Sequence, residues 1–341
     1  MKVFEITGPN VSRVRNVNLK EPGNNEVLIK VRACGICGTD IHMFKGDVKL
    51  AEYPIVPGHE FSGEVISVGN NVKDFSEGDR VAVDPNIACG GCYYCKMGMP
   101  NFCENWRAIG IHLQGACAEY VLVPQSNVYK MPENLSFEEA AFTEPVSCCV
   151  HGQDLLNLKG GESIAIFGLG PIGLIHAQLA KGKGASNIIG VDVVEYRIKF
   201  AESKEYFDHV INPRERNVLE EISRITKGKG VDVVIEASGS TDAFETGTKI
   251  LGLNGKILVF GVAPEDKLAT LKPFEIYRKQ LSIIGSFINP FTTERALRML
   301  SSGVVQVRDI ISHEIELEEI ESYYKKIEKK EDNVMKVMVK P

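Results

Sequence analysis

No stretch of the chain approaches the roughly 18 consecutive apolar residues that a membrane-spanning helix requires, so no membrane partner is expected. A basic excess is missing too: 39 Lys and Arg stand against 45 Asp and Glu, for a net charge of −6. That balance argues against a nucleic-acid partner. Met1-Lys-Val-Phe-Glu-Ile carries an acid at its fifth position and lacks a long apolar core, so it is not expected to serve as an export signal. Nine cysteines make an odd number, and without an export signal they point to reduced thiols and metal ligands rather than disulfides. A cytoplasmic protein is the expectation. What is present, 44% hydrophobic and 25% charged residues over 341 positions, suits a globular chain with two domains, each with its own core.

The chemistry concentrates between Cys34 and Glu60. The segment reads Cys34-Gly-Ile-Cys37-Gly-Thr39-Asp40-Ile-His42 and continues, after a loop, with Pro57-Gly58-His59-Glu60. A thiolate, an imidazole and a carboxylate suit zinc, and a catalytic zinc keeps one position open for water or substrate. An isolated Cys and His would more often be ordinary partly buried residues. Here glycines at 35, 38 and 58 allow close backbone approach, and Asp40 can hold the free ring nitrogen of His59. Cys89-Gly-Gly-Cys92-Tyr-Tyr-Cys95, closed by Cys103, adds a C-x2-C-x2-C-x7-C pattern. Four thiols can complete a tetrahedral shell with no open position, so a structural zinc is expected on Cys89, Cys92, Cys95 and Cys103.

Two organisations follow one another along the chain. Residues 1–146 are β-rich, with strands expected at Glu26–Arg32, Phe61–Val68, Arg80–Val83 and Ala118–Val123, joined by Gly, Pro and Asn turns as in a small barrel or sandwich. From 147 to 288 strands and helices alternate. Ser163–Phe167 is a short apolar run of the kind that forms a buried parallel strand. Gly168-Leu-Gly170-Pro171-Ile172-Gly173 comes next and opens a helix over Leu174–Lys183, and Asp192 ends the following strand, Asn187–Val191. That order is the dinucleotide-binding unit of a doubly wound sheet. Asp192 can accept hydrogen bonds from both ribose hydroxyls of NAD and would repel the added phosphate of NADP, while Arg197 nearby works the other way. Strands at His209–Ile211, Val231–Glu236, Lys256–Phe260 and Leu281–Gly285 bring the total to six, with helices at Val218–Thr226 and Ala243–Leu251. Val262 and Phe287 lie just past strand ends, where such sheets bind cofactor. Residues 289–341, with helices at Thr292–Ser302 and Leu317–Lys329 and a strand at Val334–Val339, are expected to return to the first domain.

The His59-Glu60 segment, the four-cysteine lobe and the glycine turn, in that order, resemble the zinc-dependent medium-chain alcohol and polyol dehydrogenases over the whole chain. The resemblance implies an α/β protein with a GroES-like β-rich catalytic domain, a doubly wound Rossmann domain and an active-site cleft between them. It implies a zinc held by Cys37, His59 and either Glu60 or Glu144, with Thr39 taking the alcohol proton, His42 relaying it, and hydride passing to NAD. Thr143-Glu144-Pro145-Val-Ser147 is similar to the sorbitol and polyol branch, whereas Gly110-Ile-His-Leu-Gln-Gly115 is closer to threonine and butanediol dehydrogenases. Met43 and Ile288 stand where animal sorbitol dehydrogenases place a tyrosine and an arginine, so sorbitol itself is not implied. Trp106 and His112 can line the pocket. Cys34, Cys117, Cys148 and Cys149, with His112, His151, His176, His209 and His313, are expected to be buried structural groups. The expected substrate is a secondary alcohol of a polyol, sugar alcohol or sugar acid, and the alternatives are threonine, a 2,3-diol, or a non-catalytic dinucleotide-binding protein with zinc. A homo-oligomer, dimer or tetramer, is implied as well.

Overall fold

A computed structural model of the protein describes residues 1–47 and 51–341. The described chain falls into two compact units: Met1–Ser147 with Asn289–Gly303 and Val307–Pro341, and Cys148–Ile288 with Val304–Gln306.

The first unit opens with a hairpin of β1 (Lys2–Gly8) and β2 (Val11–Asn16). Next come β3 (Glu26–Gly35), helix α1 (Gly38–Lys45), β4 (Glu60–Val68) and β5 (Arg80–Val83). A lobe contains β6 (Asn86–Ile87), the one-turn helix α2 (Tyr93–Lys96) and β7 (Arg107–Ala108). It leads to β8 (Tyr120–Pro124), β9 (Val128–Lys130), α3 (Phe137–Ala141) and α4 (Thr143–Leu156), which carries the chain into the second unit.

In the second unit β10 (Ser163–Phe167), α5 (Pro171–Gly182), β11 (Asn187–Val191), α6 (Glu195–Glu202), β12 (His209–Ile211) and α7 (Val218–Ile225) alternate. The alternation continues through β13 (Val231–Glu236), α8 (Thr241–Ile250), β14 (Leu251–Val259), α9 (Pro273–Lys279) and β15 (Ser282–Gly285). All pairs in its six-stranded sheet are parallel, in the order β12-β11-β10-β13-β14-β15. Successive side chains of a strand point to opposite faces, and β10 supplies two cores accordingly. Ala165 and Phe167 join one apolar cluster, Ile164 and Ile166 the other. The continuous apolar runs read from the sequence are thus strands covered on both sides.

The chain then rejoins the first unit through α10 (Thr293–Ser301), β16 (Ile311–Ile315), α11 (Ile320–Lys329) and β17 (Lys336–Val339). The main sheet there runs β16-β17-β3-β4-β5-β9, with β8 also paired to β3. Its core joins Val27, Ile29 and Phe61 to Ile315, Ile320, Tyr324 and Val337, so both ends of the chain build one hydrophobic cluster. Leu28 is buried along with Val27 and Ile29, more than simple alternation predicts, because β3 is a central strand on which α3 also packs.

Six helices escaped the sequence reading: α1, α2, α3, α4, α6 and α9. In α4 the run Thr-Glu-Pro-Val-Ser-Cys-Cys-Val mixes proline, β-branched and small residues of low helix propensity, and burial of one face decides the outcome. The histidines also divide otherwise than expected. His176 is fully buried, but His209 is exposed on the short edge strand β12, and of the four remaining thiols Cys148 is only partly covered.

His176 sits edge-on to Phe260, ring centroids 4.6 Å apart, and neither ring nitrogen has a hydrogen-bond partner among the described residues. Burial, with a smaller contribution from the Lys183 charge, pushes its pKa down to about 3. Above the ordinary histidine pKa, 6.5, both folded and unfolded states hold it neutral, so it adds no pH dependence there. Below that value only the unfolded chain takes up the proton, and stability falls by at most about 1.4 kcal/mol per pH unit until the folded pKa is reached. Urea denaturation of wild type and His176→Leu should therefore run parallel above pH 7. The wild type should lose ground progressively between pH 6 and 4; curves that stay parallel there would contradict this account.

Candidate functional site

Strand register brings the first donor set together. Gly35, the last residue of β3, lies directly across from Glu60, the first residue of β4. Cys37 follows one strand end closely and His59 immediately precedes the other, so sulfur, imidazole and carboxylate meet at one corner of the sheet. One ligand atom from each of Cys37, His59 and Glu60 lies within 4.8 Å of the other two. His59 and Glu60 are buried and Cys37 is partly covered.

Asp40, buried in the first turn of α1, organises this corner. One carboxylate oxygen accepts a hydrogen bond from the Cys37 backbone N–H at 2.9 Å, and the other faces His59 Nδ1 at 3.4 Å. The opposite ring nitrogen, Nε2, is left for the cluster. Burial alone would lower the His59 pKa, but the Asp40 carboxylate and the Cys37 sulfur outweigh it and hold the imidazole well above its ordinary value. A carboxylate behind a histidine ring and a sulfur and a carboxylate in front form a donor set matched to zinc.

Glu144, on the first turn of α4, does not join the convergent set, whereas Glu60 does. Thr39 Oγ1 lies 3.7 Å from Cys37 Sγ, at the edge of the cluster. His42, three residues further along α1, is about two-fifths exposed, with Nδ1 3.5 Å from the Asp47 carboxylate. The helix thus carries a half-buried hydroxyl beside the cluster and a more exposed imidazole one turn on. Met43, next on α1, is fully buried against Ala108, Ile111 and Trp106. His112 is edge-on to Trp106 at 4.9 Å, and its Nδ1 accepts from the Ala108 N–H at 3.0 Å, which leaves Nε2 as the protonated nitrogen.

One residue at this corner went unread in the sequence. Lys336 of β17 is buried, forms an ion pair with Glu60 and donates to the Ile36 carbonyl at 3.0 Å. Burial works against its charge, but Glu60 foremost and Cys37 next keep the ammonium raised. Nothing in the local sequence around Lys336 signals this contact, which spans 276 residues.

The four lobe cysteines converge likewise: one sulfur from each of Cys89, Cys92, Cys95 and Cys103 lies within 4.8 Å of the rest. Backbone N–H groups point at these sulfurs, Cys89 N to Cys103 Sγ at 3.2 Å and Cys92 N to Cys89 Sγ at 3.4 Å. The N–H groups of Gly91 and Cys92 bring the Cys89 thiol down to about 6, whereas desolvation and neighbouring thiols push Cys95 up to about 12. Four sulfurs this close, with donors aimed at them, fit a closed tetrahedral metal shell.

In the second unit the glycine turn joins β10 to α5. A Cβ at Gly173 would lie 1.8 Å from the Gly168 carbonyl oxygen, so only glycine permits this helix to start so close to the strand. Gly170, Pro171 and Ile172 form the turn and the first helical residues, leaving free N–H groups at the helix start, where a pyrophosphate binds. The Asp192 carboxylate is turned inward: it accepts from Leu169 N at 2.6 Å and Val194 N at 2.9 Å and is buried. It therefore braces the glycine turn itself. The Arg197 side chain reaches this turn, its guanidinium 3.5 Å from where a Gly170 Cβ would stand. Glu236 at the end of β13, unassigned from sequence, plays a parallel part by holding the N–H groups of Ser238 at 2.8 Å and Gly239 at 3.2 Å. An acid closing an apolar strand was the available signal. Val262 and Phe287 are both exposed.

Comparison with known proteins fits this geometry. Residues 23–133 match the alcohol dehydrogenase GroES-like domain and residues 171–302 the zinc-binding dehydrogenase domain. The chain is 34% identical to a sorbitol dehydrogenase of Bacillus subtilis, covering 100% of this chain and 97% of that one. It is 37% identical to an L-threonine 3-dehydrogenase of Pyrococcus furiosus over 87% and 86% of the two. A zinc-binding dehydrogenase-like protein from Sinorhizobium meliloti, solved with NADP bound, superposes with a TM-score of 0.94 at 37% identity, covering 100% and 99% of the chains.

Because Asp40 both caps Cys37 and backs His59, Asp40→Ala should destabilise the protein by about 1–3 kcal/mol. It should also weaken metal affinity at this corner by roughly 10–100-fold. Urea denaturation and chelator competition read the two effects separately. Unchanged metal affinity would remove Asp40 from the account of the site.

Proposed function

The chain belongs to the zinc-dependent medium-chain alcohol and polyol dehydrogenases, and from that membership we propose that it oxidises a secondary alcohol of a polyol, sugar alcohol or sugar acid to a ketone, reversibly, with NAD as hydride acceptor. The observation that carries the reading is the convergence of Cys37, His59 and Glu60 beside Thr39, in a chain that also holds a four-cysteine cluster and a strand–glycine turn–helix.

Cys37, His59 and Glu60 would hold the catalytic zinc, and Cys89, Cys92, Cys95 and Cys103 the structural one; Glu144 is outside the compact set. Zinc at the first site supplies a Lewis acid that lowers the pKa of a bound alcohol towards neutrality. The Thr39 hydroxyl, beside the Cys37 sulfur, receives the alcohol proton, and the more exposed His42 passes it towards solvent. Asp40 keeps the His59 ring oriented. Gly168, Gly170 and Gly173 seat the pyrophosphate at the start of α5, and residues at the C-terminal ends of the parallel strands place the nicotinamide. NAD is the acceptor in this reading because an acid, Asp192, closes the strand after the turn and its charge would repel the added phosphate of NADP, although it braces the turn from within and Arg197 also reaches it.

The chain acts in the cytoplasm, where its nine free cysteines stay reduced, and as a homo-oligomer. β15 closes one side of the six-stranded sheet, with Ile283 exposed on it, and α9 beside it exposes Phe274 at 66% and Tyr277 at 82%. An apolar edge of this kind is satisfied by pairing with a second copy about a two-fold axis.

Elemental analysis should find two zincs per chain, and NAD reduction should proceed with polyols or sugar acids. Turnover on threonine or 2,3-butanediol instead would move the substrate assignment. Two zincs with cofactor binding and no turnover on any of these would favour a binding protein. Cys37→Ser should lose one zinc and at least about 100-fold in kcat/KM while keeping the other zinc. Light scattering should give a multiple of the chain mass, and Ile283→Pro should reduce it; a wild-type monomer would refute the oligomer.

A further inference from the structure

Three strands cooperate in one contact that the catalytic scheme above does not use. β17, β3 and β4 are neighbours in that order, with Met338 and Glu60 each lying across from Gly35 of the central strand. Gly35 has no side chain between the outer two strands. A Cβ there would meet Glu60 Oε2 and the Lys336 chain, whose Cε would be 2.9 Å away. Lys336 and Glu60 reach each other across this gap, both buried. The ammonium also donates to the carbonyl of Ile36, the residue before Cys37. A buried lysine is costly unless paired. This one is tied both to a metal-ligating carboxylate and to the segment that carries the metal-ligating sulfur.

We infer that Lys336 is a positioning residue of the metal centre: by holding one oxygen of Glu60 it weakens that carboxylate's grip on the metal and makes it the most easily released of the three protein ligands. The inference rests on the zinc reading proposed above. Glu60 would be shared by two cations when the metal is bound, the Lys336 ammonium and the zinc. The stronger the hold of Lys336, the weaker the bond of the carboxylate to the metal would be. Lys336 is the one cationic side chain paired with Glu60 among the described residues, so without the ammonium the carboxylate would turn fully to the zinc.

The test is the rate at which the holoenzyme gives up its catalytic zinc to the chromogenic chelator 4-(2-pyridylazo)resorcinol, the lobe zinc forming a separate phase. Lys336→Met and Lys336→Gln should each slow the catalytic phase by about tenfold or more and leave the lobe phase unchanged. Lys336→Gln can keep the hydrogen bond to Ile36 without the charge, which guards against a loss of fold in the methionine variant. Lys336→Arg should release zinc within about twofold of wild type, since charge and donors are retained. In a Glu60→Gln background, Lys336→Gln should no longer slow release. Two zincs per chain with wild-type release from both neutral variants would overturn the inference and leave the zinc reading intact, as would slowing that persists without Glu60. A single zinc in the wild type would overturn both.

Discussion

A thiolate, an imidazole and two carboxylates cannot be buried within a few ångströms of one another unless cations lie among them. The corner where β3 meets β4 obeys this constraint, and the surrounding structure follows from it. Asp40 faces the His59 ring, Lys336 faces Glu60, and Cys37, His59 and Glu60 converge closely enough that a metal ion would complete the balance. Each partner arrives on a different element: α1 brings Asp40, β17 brings Lys336, and β4 brings Glu60. The register of the sheet is therefore an electrostatic requirement as much as a packing one. A slip of one residue between β3 and β4 would turn Glu60 to the opposite face and leave Lys336 buried without its partner.

How much of this was legible beforehand depended on separation along the chain. Cys89 to Cys103 lie within one lobe, so spacing alone announced four converging sulfurs, and the structure brings them within 4.8 Å. Gly168 to Gly173, flanked by an apolar strand and a helix, carried the parallel sheet in the same local way. Cys37 and His59 were readable because both fall in the one short segment of sequence between Cys34 and Glu60. Lys336 was not, because its role exists only once β17 has paired with β3 and its backbone neighbours in sequence carry no trace of Glu60. That Glu60 rather than Glu144 joins the convergent set was equally out of reach, since it follows from the pairing of β3 with β4 rather than from either residue's surroundings in sequence.

Asp192 illustrates a second limit. Its position at the end of a strand after the glycine turn was read as a ribose contact, and the structure finds both oxygens occupied by the N–H groups of Leu169 and Val194. A carboxylate in this place has two uses, bracing the turn and meeting the cofactor. The first is a precondition of the second, because the turn must be rigid before its amides can present themselves to a pyrophosphate. Glu236 braces the neighbouring loop by the same means. The C-terminal edge of the sheet is thus held by acids that terminate apolar strands, and sequence marks such residues without telling which of their lone pairs remain free.

His176 in the second unit and Lys336 in the first are buried in opposite ways, and the contrast bears on where the chemistry lies. His176 lies in an apolar setting without a hydrogen-bond partner for its ring and resolves the cost of burial by staying neutral, its pKa driven down to about 3. Lys336 is buried as deeply but stays charged, because a carboxylate is built in opposite it. Keeping a charge inside a protein requires a partner held in register from elsewhere in the fold, whereas letting it go requires nothing. A fold that retains buried charge at one corner only through a three-strand arrangement, with a glycine left in the middle to make room, has been constrained there by something other than stability. The residue that benefits is Glu60, one of the three converging donors, and the constraint is therefore best understood as belonging to the metal.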